Sequence, residues 1–297
     1  QSSMNLFNSL KKISKIDCSV MLIGNMGAGK KFLATKIHNE SNRSNKNFRI
    51  IDCKKNDQDE LQREIFGKED YQVIKISGIL DEVNGGTLLF ENIHCLSKVL
   101  QGKLLRVLEE KKYYRIGAIT PRNINVRIIA SSIISLEKIK KTNKLRNDLV
   151  KKLDFFTINI PSLIDRKEDI EDLVNFFLLD FANKKNIIKK KFSEDAISFF
   201  YNMNCVENIS QLKKFVELCC IMLSDDQETV ITKNNLLQLM QKFLGIEDTN
   251  NFNEKKFFDF SIKDAREHFE KKYLMYNLAK YEYNVSKMSF EIGMERT

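Results

Sequence analysis

Between residues 19 and 160, short apolar runs alternate with longer segments whose apolar positions recur at helical spacing. The runs Val20–Ile23, Phe48–Asp52, Thr87–Phe90, Val126–Ala130 and Phe156–Ile160 predict strands. The stretches between them predict helices, as where Leu104, Leu105 and Leu108 share one face. Strand–helix alternation of this kind predicts an α/β fold, with a parallel sheet and helices on both of its faces. From about Arg166 to Leu244 the pattern changes to helix after helix. Leu212, Phe215, Val216 and Cys219 recur at three- and four-residue steps, the apolar stripe of an amphipathic helix in an all-helical subdomain. Gly245–Glu254 is polar and Asn-rich, which reads as a linker. A last module begins near Asp259, where Ser261 and Asp264 form a helix-start signal. Ile262, Ala265, Phe269, Tyr273 and Tyr276 then line one face as core rather than as stacking platforms. A second helix starts at Asn284 or Val285, turns Val285, Met288 and Ile292 inward, and ends at Gly293. The division expected is 1–164, 165–245, 246–258 and 259–297, without internal repeats.

One segment carries chemistry of its own. Gly24, Asn25, Met26, Gly27, Ala28, Gly29 and Lys30 follow the first apolar run and precede the helical segment Lys31–His38. That strand–loop–helix context is what a phosphate loop requires. Its glycines let successive N–H groups point at a phosphate, the helix N-terminus adds partial positive charge, and Lys30 reaches the outer phosphates. Lys31 stands where a Ser or Thr would offer magnesium a hydroxyl.

Composition narrows the reading only slightly. Two prolines and 11 glycines in 297 residues suit a helix-rich chain with few tight turns. A net charge of +9 suits an acidic partner such as nucleic acid, or simply a lysine-rich solvated surface. The basic stretch Lys138–Arg146 reads as a solvated helix face, and Lys189–Lys191 as an exposed loop. Cys18, Cys53, Cys95, Cys205, Cys219 and Cys220 include no C-x-x-C pair, which points to reduced core residues of a cytoplasmic protein. His38, His94 and His268 lack ligand spacing and read as structural or surface groups. No apolar run reaches the length needed to cross a membrane, and no signal peptide is visible. The start at Gln1 and the stop at Thr297 read as cuts from a longer product.

The chain resembles the central AAA+ domain of NtrC-type, sigma-54-dependent regulators. Gly24–Lys31 is similar to that family's GESGTGKE, which also lacks Ser or Thr after its lysine. Glu64-Ile65-Phe66-Gly67 resembles ELFG, and Gly85-Gly86-Thr87-Leu88-Leu89-Phe90 the run into Walker B. Leu104–Leu108 with Tyr114-Arg115-Ile116-Gly117 resembles LLRVL…YRVG, and Val126–Ala130 resembles VRIIA. Leu145–Leu149 resembles FREDL. Ile160–Leu163 with Arg166–Ile170 resembles LPPLRERREDI. Asn284-Val285-Ser286 and Gly293-Met294-Glu295-Arg296 are similar to a Fis-type helix-turn-helix, and Ile262–Arg266 fits the NtrX branch. The resemblance implies a P-loop AAA+ sheet, a helical lid and a partial C-terminal helix-turn-helix. Since the family's DNA-reading helix follows directly after this point, residues 1–297 are not expected to read base sequence alone.

Against the family pattern, Lys68–Asn84 contains no GAFTGA, the loop that engages sigma-54; a shortened surface loop is expected there. Walker B ends in Glu91 and Asn92 instead of Asp-Glu. Glu91 can still hold magnesium, but Asn92 cannot accept a proton, and a lost general base costs about 10²–10⁴ in rate. Ile133 replaces the sensor asparagine. Of two arginine-finger positions Arg146 remains and Lys152 is changed, and a finger is worth about 10³–10⁵ in rate. Ser210 replaces the lid arginine that touches nucleotide. The resemblance therefore implies ATP or ADP binding, possible Mg²⁺, and slow or absent hydrolysis. Its implied partners are DNA in the full-length protein, RNA polymerase, a sensor histidine kinase and further copies of the chain. An active ATPase that remodels sigma-54 polymerase is the alternative.

Overall fold

The computed structural model describes residues 10–69, 75–185, 190–203, 208–223 and 229–240. The chain forms two compact units, Gln1–Ile231 and Thr232–Thr297. The first unit opens with helix α1 (residues 10–14), strand β1 (Val20–Ile23), helix α2 (Lys30–Asn39), β2 (Phe48–Asp52) and α3 (Gln58–Phe66). Two short strands, β3 (Lys68–Glu69) and β4 (Lys75–Ile76), lead to α4 (Ile79–Glu82) and β5 (Thr87–Glu91). Then come α5 (Lys98–Glu110), β6 (Lys112–Tyr113), β7 (Arg122–Asn123), β8 (Arg127–Ser132), α6 (Leu136–Lys141), α7 (Asn147–Leu153) and β9 (Phe156–Asn159). The remaining elements are α8 (Ile170–Lys185), β10 (Lys191–Phe192), α9 (Glu194–Asn202), α10 (Asn208–Met222), β11 (Val230–Ile231) and α11 (Lys233–Leu239).

Five strands form one parallel sheet in the order β2-β5-β8-β1-β9. All five were expected; β1 and β2 have the expected bounds, β5 and β9 differ by one residue at their ends, and β8 runs from Arg127 to Ser132 rather than from Val126 to Ala130. Strand residues alternate between two cores, as a sheet covered on both faces demands. Val20, Leu22, Leu89, Ile129 and Ile158 pack with Leu10, Leu33 and Ile37 of α1 and α2. Met21, Ile51, Leu88, Phe90, Ile128 and Ala130 face the opposite way, toward Leu61, Leu104 and Leu149 of α3, α5 and α7. Arg127 ties α1 to this frame, because its buried guanidinium donates to the carbonyls of Ile13, Ser14 and Cys18 at 2.8–3.1 Å. The phosphate loop thus leaves the sheet at the C-terminal end of a central strand, where open α/β sheets place their ligands.

The helical part after β9 holds a cluster of Phe192, Phe199, Phe200 and Phe215, with ring centroids 5.1–6.4 Å apart. Leu212, Phe215, Val216 and Cys219 of α10 are buried, as their spacing predicts. The expectation of an all-helical subdomain needs correcting, because β10 and β11 pair in parallel. That pairing also corrects part of the exposed loop expected at Lys189–Lys191: Lys191 is exposed but belongs to β10, and Lys190 is buried. The Lys191 amide donates to Thr229 O at 2.9 Å, which draws the segment inward and leaves Lys190 only 6% exposed. Lys189 lies outside the described residues.

In the second unit, α11 starts with a Thr232/Asn235 capping box. The linker 246–258, the module 259–297 and His268 lie outside the described residues. Cys18, Cys53, Cys95, Cys219 and Cys220 are free thiols, and burial raises the thiol pKa of Cys53, Cys219 and Cys220. Cys205 lies outside the described residues. Among the described residues, no helix is long and apolar enough to cross a membrane.

Candidate functional site

The phosphate loop is shaped by its neighbours as well as by its glycines. A Cβ on Gly24 would lie 2.9 Å from Ile160 O and 3.0 Å from Ile160 Cβ, so this position has no room for a side chain. Gly27 and Gly29 have φ of 70° and 98°, in the left-handed region that glycine enters without cost. Gly29 caps α2, whose first turn carries no acidic side chain, so its N-terminal amides face the loop without competing negative charge. Lys30 Nζ donates to Gly24 O at 2.7 Å and Asn25 O at 2.8 Å. Burial lowers its pKa; the Glu91 carboxylate opposes that shift and the Lys54 ammonium adds to it. Lys31 and Met26 are exposed.

Facing the loop are the ends of β5 and β8. Glu91 is half-buried and in register with Asp52 of β2. Asn92 has left-handed φ and ψ of 54° and 42°, and its Nδ2 donates to Asp52 Oδ1 at 2.9 Å. The Lys54 amide donates to the same oxygen at 3.0 Å. The Asn92 amide is therefore directed across the strand ends. At the end of β8, Ser132 Oγ lies 3.0 Å from His94 Nδ1 and donates to Ile134 O at 3.0 Å. The next residue, Ile133, is 39% exposed and offers no polar group. Burial, followed by the charges of Lys144, Lys54 and Lys30, lowers the His94 pKa and favours its neutral form. His38 is likewise buried; it lies 3.0 Å from Thr87 Oγ1 and stacks on Phe48. Glu91 is the carboxylate at the end of β5 that could hold Mg²⁺ beside nucleotide phosphates. A single carboxylate plus phosphate oxygens and water is a donor set that ion accepts.

Arg146 and Lys152 lie apart from these residues, at the start of α7 and within it. The exposed Arg146 guanidinium forms a two-pronged pair with Asp148 at 3.1 and 2.7 Å, while its backbone N–H donates to Gln101 Oε1. Lys152 pairs with Glu109 at 3.4 Å. Ser210 is exposed on α10.

Two residues to which sequence motifs assign no role touch the loop. Asn208 is 2% exposed, with a left-handed φ of 55°. Its Oδ1 accepts from Leu163 N and its Nδ2 donates to Met26 O, both at 2.8 Å. Arg166 is 8% exposed and donates from Nη2 to Ala28 O at 3.0 Å. Ile209 Cδ1 lies 3.7 Å from where a Cβ on Gly29 would sit. The only signal for these contacts was the pairing of a polar side chain with a helix start, which resembles an ordinary cap.

The interval Lys68–Asn84 contains the antiparallel pair β3–β4, and residues 70–74 lie outside the described residues. Asp81 in α4 accepts from Tyr113 Oη at 2.5 Å, from Arg115 at 3.2 Å and from Arg122 at 3.3 Å. Arg115 and Arg122 also reach Glu69, which ties β3 to the β6–β7 pair.

Residues 1–159 match the family described as Sigma-54 interaction domain, and residues 164–250 match AAA+ ATPase lid domain. The nitrogen assimilation regulatory protein NtrX of Azorhizobium caulinodans is 29% identical over 290 residues, 97% of this chain and 64% of that protein. The HTH-type transcriptional regulatory protein TyrR of Haemophilus influenzae is 31% identical over 226 residues, 75% of this chain and 70% of that one. Crystal structures of NtrX from Brucella abortus in complex with ADP and with ATP each superpose with a TM-score of 0.76, at 29% and 28% identity. They cover 99% of this chain, which in turn covers 66% and 65% of theirs. The chain spans just under two thirds of the NtrX relative from A. caulinodans. With the five-stranded P-loop sheet and the lid that follows it, the matched residues establish that this chain belongs to the Sigma-54 interaction domain family.

Proposed function

We propose that the chain is the nucleotide-binding core of a transcription regulator that holds ATP or ADP at Gly24–Lys31 and hydrolyses it slowly or not at all. The observation that carries this reading is the Asn92 amide: it cannot take a proton from water, and it is spent on Asp52. Ile133 and Ser210 point the same way, since neither supplies the polar or cationic group the family has at these positions. Parts of one catalytic unit do not contribute additively, so the combined loss is not the product of the separate ones. In this reading Glu91 supports bound Mg²⁺, Arg146 is the one remaining finger, and residues 1–164 and 165–245 act as nucleotide domain and lid. Nucleotide occupancy biases self-association. The module 259–297 belongs to a DNA-binding end that acts with RNA polymerase under a sensor kinase. Without GAFTGA in Lys68–Asn84, contact with sigma-54 is not part of the proposal.

The alternative, an ATPase that remodels sigma-54 polymerase, draws on the family match and on the exposed Arg146 guanidinium. Measuring ATP binding and ATP turnover on the same preparation separates the two. Micromolar binding without turnover above background supports the binding protein. Turnover that disappears in Lys30→Ala sinks it and restores the motor.

A further inference from the structure

We propose that Asn208 and Arg166 are positioning residues through which the lid registers that the phosphate loop is filled, and that this register responds to the α- and β-phosphates but not to the γ-phosphate. The proposal rests on the nucleotide-binding reading above.

The argument begins with the peptide unit. In a trans peptide the C=O and the following N–H lie in one plane and point in opposite directions. All described peptides here are trans. Met26 O shares its peptide with the Gly27 N–H, and Ala28 O shares its peptide with the Gly29 N–H. Asn208 Nδ2 holds the first carbonyl at 2.8 Å, and Arg166 Nη2 holds the second at 3.0 Å. Each lid donor therefore fixes the direction of an N–H on the far side of its peptide, in a loop whose N–H groups cradle the α- and β-phosphates. Hydrogen bonds in series also polarise one another, so an oxyanion on the N–H strengthens the bond at the carbonyl. Filling the loop tightens the lid contact, and by linkage a seated lid raises affinity for the phosphate.

Asn208 bridges the loop and Leu163 from a left-handed backbone, and Ile209 packs beside Gly29. Arg166 is buried, with its Nε lacking a partner and its Nη1 3.8 Å from Asp169 Oδ2, so the shorter bond to Ala28 O matters to this guanidinium. Among the described residues at the family's hydrolytic and sensor positions, none gives the γ-phosphate a comparable route to the lid. Ile133 has no polar atom, the Asn92 amide is engaged by Asp52, and Ser210 is a short side chain exposed on α10. Lys30 does reach toward the outer phosphates, yet its present partners, Gly24 O and Asn25 O, belong to the loop and not to the lid.

The test is hydrogen exchange of α8 and α10 in the full chain, unliganded and with saturating ADP, ATP or AMP, alongside measured affinities. ADP and ATP are expected to slow exchange in these helices equally, and AMP less. In Asn208→Gly, which keeps the left-handed backbone free of strain and adds no charge, ADP affinity falls about 3- to 10-fold, the effect of one net hydrogen bond. Slowing of α10 exchange is lost in that variant even at saturation. A merely structural role would speed exchange by the same factor with and without ADP, and that result overturns the proposal. Stronger protection by ATP than by ADP overturns it too, and needs no variant to fold. Failure of every nucleotide to bind removes instead the reading on which the proposal rests.

Discussion

The two sides of the cleft are held in place by different means. Gly24 sits against Ile160 with no room for a Cβ, Gly27 and Gly29 occupy left-handed backbone, and the carbonyls of residues 24, 25, 26 and 28 all accept side-chain hydrogen bonds. Changing this side disturbs the sheet, the start of α2 and the seat of the lid together. At the positions the family uses for hydrolysis, Asn92 donates to Asp52, Ile133 is exposed, and Ser210 is exposed on α10. Substitutions there change the chemistry without displacing the core. A fold of this kind can lose the means of hydrolysis while keeping the means of binding, because only the binding side is also structural.

Lys30→Ala should have the largest effect. It removes the ammonium proposed to meet the outer phosphates, and hydrogen bonds to charged groups contribute about 1.5–3 kcal/mol each. Nucleotide affinity is expected to fall by about a hundredfold by calorimetric titration, whereas Asn92→Glu should change affinity by less than about tenfold. Equal effects from the two variants would erase the distinction between the sides.

Gly24→Ala tests the structural half of the comparison. The added methyl meets a backbone carbonyl and a Cβ of β9's continuation, neither of which can swing aside. Overpacking of this kind costs about 1–3 kcal/mol. A lowered urea midpoint without nucleotide is the expected result, and Ile133→Asn should leave the unfolding free energy within about 0.5 kcal/mol of the native value. Unchanged stability in Gly24→Ala would mean that the loop is not anchored to the sheet at this point.

Acid should act on the strand ends through two buried imidazoles. His94 and His38 both have pKa values lowered from 6.5, chiefly by burial, so the folded state binds fewer protons than the unfolded chain. Their stabilising contribution is complete above pH 6.5 and is lost as the pH falls through that value toward their lowered folded pKa values. The depressed carboxyls of Asp17 and Asp81 respond only in more acid solution, below their usual 3.8. Melting temperature should therefore drop between pH 7 and pH 5. His94→Gln should shrink that drop without removing it, because His38 remains. An unaltered drop would place the titration elsewhere.

The sequence revealed what repeats with a period or forces a turn. Short apolar runs at β1 and β8 identified strands of a sheet covered on both faces, and the glycines at 24, 27 and 29 identified the loop. It did not reveal partners far apart in the chain. Nothing local to Asn208 indicates that it meets Met26, 182 residues away, or to Arg166 that it meets Ala28, 138 away. The short β10–β11 pair was missed for the same reason, since two residues per strand leave no alternation to read. Buried polar residues bridging remote segments depend on tertiary packing, which residue type and spacing alone do not encode. Asn92 is an intermediate case: its inability to act as a base follows from its identity, while its bond to Asp52 required the register of β2 with β5.

Ser210→Ala should have the smallest effect. Ser210 lies two residues from the buried Asn208 on α10 yet is itself exposed, and its side chain is far shorter than the arginine that the family resemblance implies here. If the lid holds the loop from behind, through Asn208 and Arg166, removing this hydroxyl should leave ADP and ATP affinities within about twofold of the native chain. That range corresponds to less than one net hydrogen bond of about 1 kcal/mol. A tenfold loss specific to ATP would show that Ser210 reaches the γ-phosphate. The lid would then touch nucleotide from the front as well, and the far side of the cleft would have kept one of its contacts after all.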